Sequence, residues 1–525
     1  MSKNTAFYGL FFLVICAALL FRTANLDLRP LHHDEANQAV KFGELLEKNA
    51  YRYDPSEHHG PSLYYCTLPF AWINSGTSFS SLDEQTLRLV PAVFGVGVVL
   101  LLLMFKGGYS PSAIFFSGIL IAISPAMVFY SRFYIQEMLL VFFLVGALGA
   151  SWRYHMHCTW GWAAATGFFF AMMYATKETS LIVFGSLSIS VLLARIYTAR
   201  QSRREFLPLV EKPEKSRLGH LWVFLGTALF VSFLMFSSFF KNPRGILDSV
   251  LAFRTYFERA SEAGFHSHAW PYYLKMLIFS RYGNGPIWSE ALILVLAFFG
   301  CIAAFKSVKN KDAHPLFVRL VCFYALLATA VYSSIPYKTP WNMLLFYIGI
   351  ILLAGNGVVF LLESSKKFVV QGLIIFILGA GLYHLGMQSF RANFKFYADP
   401  RNPYVYAHTS EDFLNLVRRI NTAARYHPDG TQMLIKVITH PDEAWPLPWY
   451  LRTFTRVGYW QNAEEAGELQ EVPLIISSVD ITEKLWPHLQ DTHQSEFYGL
   501  RPEVLLVLHI QKDLWNKILE KQAAR

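Results

Sequence analysis

The chain has 525 residues, of which 54% are hydrophobic, 16% aromatic and only 16% charged, with a formal net charge of +9. That balance excludes an ordinary soluble enzyme and points to a polytopic membrane protein. The positive charge gathers in loops with no nucleic-acid-binding signature beside it, so anionic lipid rather than nucleic acid is its expected partner.

Crossing a hydrocarbon core takes about 20 apolar helical residues. Eleven stretches meet that need, at 6–24, 88–105, 112–130, 134–150, 160–176, 179–195, 220–240, 287–305, 316–334, 341–362 and 368–388. The first has the apolar run of a secretory signal, but Phe21, Arg22 and Thr23 make a poor cleavage site, so it is read as a retained helix. Lys and Arg set the orientation: with the N-terminus inside, Lys106, Arg153, the basic 195–219 stretch, Lys306, Lys309, Lys311, Lys366 and Lys367 all lie in inner loops. The expected fold is therefore mainly α: a transmembrane region over 1–388 with about eleven helices, N-terminus in and C-terminus out. Its first outer loop is 25–87 and a further outer loop is 241–286, where "FHSHAWPYYLKM" (265–276) suggests an interfacial lid.

Residues 389–525 are of another kind. "EDFLNLVRRINTAARY" (411–426) has helical spacing, while "MLIKVIT" (433–439), "PLIISSV" (473–479) and "EVLLVLHI" (503–510) read as strands, which makes a small extracytoplasmic α/β domain. The five cysteines imply no disulfide framework and no zinc ribbon.

Polar clusters fall on the outer side: "HHDEAN" (32–37), "YDPSEHHGPSLYY" (53–65), "YSRFYIQEM" (130–138), "YATKETS" (174–180), "IPYKTPW" (335–341) and "ADPRNPY" (399–404). Ionisable groups at membrane depth are costly, so a functional reading is their default. Asp34 either N-caps the helix that "EANQAVKFGELLEK" forms or serves as a base. Adjacent carboxylates on a helix point roughly 100° apart, so only one of Asp34 and Glu35 is placed to react. His32, His33, His58 and His59 admit two readings, hydrogen-bonded loop histidines or ligands of a divalent cation; Glu35 and His33 are the candidate ligands, although no HExxH is present. Arg132, Glu137, Lys177, Glu178 and Lys338 admit snorkelling to the interface or, taken together, a phosphate clamp. Tyr64, Tyr65, Trp72, Trp270, Tyr272, Tyr273, Tyr337 and Trp341 fit either an interfacial aromatic belt or sugar stacking.

These residues carry a family resemblance. Asp-Glu just after the first helix, "TLRLVPAVFGV" (86–96), "ISPAMVFYSRFYIQEMLLVFF" (123–143) and "ATGFFFAMMYATKETSLI" (165–182) resemble the GT-C membrane glycosyltransferases, among them the protein mannosyltransferases and the aminoarabinose–lipid A transferases. "HHDEA", "EHHGPSLYY" and "PYKTPW" are most similar to the flippase-activity-associated, archaeal N-glycosylation-type subfamily. The resemblance spans about residues 1–360. It implies a GT-C bundle, a polyprenyl-phosphate sugar donor, Asp34 as general base, Glu35 as its neighbour or a metal ligand, and Arg132, Glu137 and Lys177 in the site wall. One departure stands out: where the aminoarabinose transferases have Lys-Pro-Pro, this chain has His59-Gly60-Pro61, so His59, Lys177 or Lys338 has to face the phosphate, with His58 and Glu178 beside them.

The chemistry stands on the residues as well. A positioned carboxylate takes the proton of an acceptor hydroxyl as it attacks the anomeric carbon, and cations suffice for a phosphate leaving group. The expectation is an inverting hexosyl or pentosyl transferase in the cytoplasmic membrane, acting at its outer face on a glycolipid, glycan or protein acceptor. The rival readings are a lipid-linked-sugar flippase and a flippase-associated binding protein.

Overall fold

The computed structural model describes residues 3–49, 51–55, 59–74, 76–201, 215–260, 266–306, 313–364 and 367–523. The chain forms two compact units that interleave along the sequence. One comprises Met1–Leu26, Ala50–Phe70 and Arg88–Lys395; the other Asp27–Asn49, Ala71–Leu87 and Phe396–Arg525. This differs from the division at 388/389 read from the sequence, because two pieces of the first loop belong with the C-terminal segment.

The larger unit is helical. Among the described residues, eight helices are long and apolar enough to cross a membrane: Thr5–Thr23, Glu84–Phe105, Glu137–His157, Ser180–Gln201, Leu218–Phe236, Pro315–Ser334, Pro340–Ser364 and Phe368–Lys395. The stretch expected at 112–130 is instead a pair, Pro111–Ile123 and Pro125–Ser131, bent by 62°. Pro125 causes the break, since it has no N–H to continue the helix. The stretches expected at 160–176 and 287–305 are helices of 15 residues, Trp160–Tyr174 and Ala291–Phe305.

Small residues set the helix packing. A Cβ on Gly300 would lie 2.0 Å from the Leu353 carbonyl oxygen, and one on Gly357 would lie 1.9 Å from that of Leu296. The helices Ala291–Phe305 and Leu344–Ser364 therefore meet backbone to backbone, as close packing inside a membrane favours.

The second unit is built on a five-stranded sheet: β1 (Ile435–Ile438), β2 (Val457–Trp460), β3 (Leu474–Ser478), β4 (His493–Arg501) and β5 (Val504–Gln511), in spatial order β2-β1-β3-β5-β4. β1 runs parallel to both β2 and β3, while β5 is antiparallel to β3 and β4. The helices Phe413–Tyr426 and Lys512–Ala523 cover one face through Leu416, Ile420, Leu514 and Ile518. Val479–Leu489 covers the other through Ile481, Leu485 and Leu489. The expected helix and three strands are all present. β2 and β4 are additions, and both are edge strands with mixed exposure that lack the apolar runs of β1 and β3.

The helix His33–Lys48 belongs to this unit. The Tyr450 hydroxyl accepts from the Leu31 amide (2.9 Å) and the Thr409 hydroxyl donates to the Leu31 carbonyl (2.7 Å). The Trp449 indole donates to Glu84 (2.8 Å) while packing edge-on against Phe79.

Candidate functional site

The Asp-Glu pair opens the helix His33–Lys48. His32, not Asp34, is its N-cap: His32 is extended, its Nδ1 accepts from the Asp34 amide (3.0 Å), and Glu35 Oε2 accepts from the His32 amide (3.0 Å). This corrects the capping role expected of Asp34. An imidazole nitrogen can do the work of a capping oxygen, and Glu35 stands at the third helical position that a capping box requires. With Nδ1 accepting, the ring proton sits on Nε2, which donates to the Tyr406 carbonyl (3.1 Å). Burial pushes the His32 pKa down, so its ring is neutral and its 3.9 Å approach to Asp34 is no ion pair.

The two carboxylates consequently part company. Glu35 is fully buried, with Arg29 3.6 Å away. Asp34 keeps 41% of its side chain exposed. His33 lies against Trp445 (ring centroids 5.7 Å) and bonds the Asp442 carbonyl, and burial lowers its pKa too. Glu35 and His33 do not fit the cation suggested for them: the carboxylate is turned inward to Arg29 and the His32 amide, while the imidazole faces Trp445 and the Asp442 carbonyl. Among the described residues, no three His, Cys, Asp or Glu side chains are grouped to hold a metal ion.

The membrane unit holds a second polar group. Gly60 lets the chain 59–62 dock on the turn after Trp160–Tyr174: a Cβ there would lie 2.3 Å from the Ala175 carbonyl oxygen. The Ser62 amide donates to that same carbonyl (3.0 Å) and the Ser62 hydroxyl to Thr176 (2.8 Å). The docking places His59 Nδ1 2.7 Å from Glu178 Oε2, while the Tyr53 hydroxyl donates to Oε1 of the same carboxylate (3.2 Å). Burial pushes the Glu178 carboxyl up, but the opposing pull of His59, with Lys177 adding to it, outweighs that and holds it below the usual range. Next in the chain, the buried Lys177 ammonium donates to the buried Glu137 carboxylate, which opens the helix Glu137–His157.

Two other expected cations are occupied by backbone. The Arg132 guanidinium donates to the carbonyls of Phe21, Ala24 and Asn25 at 3.1, 2.6 and 2.8 Å, and lies over the Phe394 ring. It closes the C-terminal end of the first helix. Lys338 donates to the His268 carbonyl (2.8 Å) and to that of Ile335, tying the segment 266–268 to 335–338; burial pushes its ammonium pKa down. Part of the lid suggested at 265–276 is thus strapped to Lys338, and Phe265 lies outside the described residues, as does His58.

Sequence reasoning missed Glu290. It is buried and receives bonds from the Ser124 hydroxyl (2.6 Å), the Ala126 amide (3.0 Å) and the Tyr347 hydroxyl (2.7 Å), so it satisfies the backbone and side-chain donors at the bend between Pro111–Ile123 and Pro125–Ser131. The signal for it was one acidic residue just before an apolar run, "SEALILVLAFF".

Residues 15–244 match the family model described as dolichyl-phosphate-mannose-protein mannosyltransferase. The fold is similar to that of ArnT from Cupriavidus metallidurans bound to undecaprenyl phosphate, with a TM-score of 0.61 at 14% identity over 95% of this chain and 98% of that one. The family match covers less than half of the chain. The Archaeoglobus fulgidus oligosaccharyltransferase, tethered to an acceptor peptide containing an NVT sequon, is a further structure with a similar fold, with a TM-score of 0.59 at 12% identity over 95% of this chain and 74% of that one. No curated protein sequence matches. At such identities the likeness to these two structures is one of fold. The family match covers the Asp-Glu helix, the His59 segment and the Lys177–Glu178 turn, so all three lie in the part of the chain where the family signal resides.

Proposed function

We propose that the protein transfers a hexosyl or pentosyl group from a polyprenyl-phosphate donor to a hydroxyl- or amide-bearing acceptor at the outer face of the cytoplasmic membrane. The observation that carries this reading is the division of labour within Asp34–Glu35 on a GT-C chain. One carboxylate is buried and structural; the other is exposed at the start of a rigidly capped helix. Asp34 acts as the general base, taking the acceptor proton while the nucleophile attacks the anomeric carbon opposite the phosphate and inverts it. Within the membrane unit, Lys177 and His59, held in orientation by Glu137 and Glu178, supply the kind of donors that a phosphate group takes. Arg132 and Lys338 serve as braces, and no step is assigned to a metal at Glu35 or His33. The Lys and Arg distribution puts the N-terminus inside, which sets the side of action.

The test is transfer in proteoliposomes with a panel of polyprenyl-phosphate sugars, using membrane extract as the source of acceptor. Wild type releases polyprenyl phosphate, and Asp34→Asn lowers the rate by about 10²–10⁴ with the fold intact. The bent pair at Ser124 favours a second reading, since broken helices accompany lipid and ion translocation. Lipid-linked-sugar scrambling without turnover of any donor would establish that reading in place of the first.

A further inference from the structure

Within the second unit, the three parallel strands end on one edge of the sheet, and the chain leaves β1 and β3 toward opposite faces. After β1 it runs through Leu447 and Leu451, which join the core on the face of Phe413–Tyr426; after β3 it enters Val479–Leu489 on the other face. Open α/β sheets hold ligands at such a divergence, beyond the carboxyl ends of the strands. Here that end of the sheet carries chemistry from both sides. His440, just past β1, meets Asp480, just past β3, at 2.7 Å, with both side chains at least half exposed. The loop "HPDEAW" (440–445) follows, with Asp442 exposed and Glu443 and Trp445 half-buried. Arg501, at the end of β4 on this same edge, fixes the loop by donating to the Asp442 carbonyl (3.0 Å). Trp445 in turn lies against His33, the residue before Asp34.

We propose that this end of the sheet is the saccharide-acceptor subsite of the transfer reaction, with Trp445 packing on the C–H face of a sugar ring and Asp442, Glu443 and the His440–Asp480 pair accepting its hydroxyl protons. The inference rests on the reading of Asp34 as the base and names the acceptor class for it. Its chemistry is suited to a sugar: an aromatic plane beside several carboxylate acceptors matches a molecule with one apolar face and a rim of hydroxyl donors. A peptide acceptor would call for a row of side-chain pockets, and the half-exposed ring here stands among charged groups. The link from Trp445 through His33 to Asp34 places the subsite next to the base along one rigid segment.

The experiment is saturation-transfer NMR on the full-length protein in nanodiscs, with methyl hexosides and methyl pentosides as probes. Wild type transfers saturation to their ring protons; Trp445→Ala weakens binding at least tenfold, and Trp445→Phe restores most of it. Should Trp445→Ala fail to fold, the double variant Asp442→Asn/Glu443→Gln, altered only in the loop's acids, gives the same tenfold loss. This binding readout needs no turnover, so it stands or falls apart from the transferase assay. In an active preparation the same variants raise KM for a saccharide acceptor tenfold or more while KM for the donor stays put. The inference is overturned if wild type binds none of the probes, if the variants bind as wild type does, or if a peptide library rather than the glycosides binds in a Trp445-dependent way.

Discussion

Adjacent carboxylates with different surroundings do different work. Glu35 sits beside Arg29 and closes a capping box, whereas Asp34 reaches solvent from the next position. Removing one partner of a buried ion pair strands the other charge, at a cost of about 3–5 kcal/mol. Glu35→Gln keeps an oxygen for the His32 amide but removes the buried carboxylate charge beside Arg29, so it lowers the unfolding temperature of the detergent-solubilised protein markedly. Asp34→Asn leaves that temperature near wild type and lowers turnover instead. Thermal unfolding measured beside the proteoliposome assay separates the two; equal melting losses would refute the assignment. The sequence showed that the two carboxylates diverge, but not which one turns inward. That choice depends on Arg29 and on His32 serving as the cap, and the His32 ring is held by the carbonyl of Tyr406, far along the sequence.

At the scale of the element, the sheet carries its own pH response. His509 on β5 is buried between Ser477 on β3 (2.9 Å) and Ser495 on β4 (2.7 Å), and burial holds its pKa at about 4. The unfolded chain takes up that proton near pH 6.5, while the folded sheet refuses it until about pH 4. The stability that a neutral His509 permits is therefore fully present above pH ~6.5 and falls as the pH drops toward 4, by about 3 kcal/mol across that window. Amide exchange of β3 and β5, referred to intrinsic rates, is accordingly faster at pH 5 than at pH 7, and His509→Gln flattens the difference. An unchanged pH response in that variant would rule His509 out as its source. β3 and β5 were legible in the sequence because "PLIISSV" and "EVLLVLHI" are apolar runs, whereas the polar "HQSEFYGLR" of β4 becomes a strand only by pairing with β5. The bend at Ser124 was hidden for a similar reason. Hydropathy runs unbroken across it, and only Glu290, 166 residues away, marks where the helix is opened and its donors satisfied.

For the whole molecule, the order of segments along the chain is a poor guide to what folds with what. Hydropathy correctly separates apolar helices from the polar remainder, but it cannot tell that Asp27–Asn49 and Ala71–Leu87 join Phe396–Arg525 in one compact unit. The contacts responsible join residues hundreds of positions apart: Leu31 with Tyr450 and Thr409, His32 with Tyr406, and Glu84 with Trp449. Each is a single polar pair between partly apolar surfaces, and none leaves a periodic signal. The C-terminal segment is therefore a clamp on the helix that presents Asp34. A chain ending at Lys395 retains the apolar helices but loses all the C-terminal partners of His33–Lys48, a 16-residue helix with too little intrinsic stability to persist alone in water. Hydrogen exchange over residues 33–48 rises in that truncated protein toward the rate of an unfolded peptide, while the helix Leu344–Ser364 stays protected. Supplying residues 396–525 in trans recovers protection over 33–48 together with part of the transferase activity. Full protection of residues 33–48 in the truncated chain would mean that the membrane unit alone orders the Asp-Glu helix, and the C-terminal segment would then have to act on the acceptor without setting the position of the base.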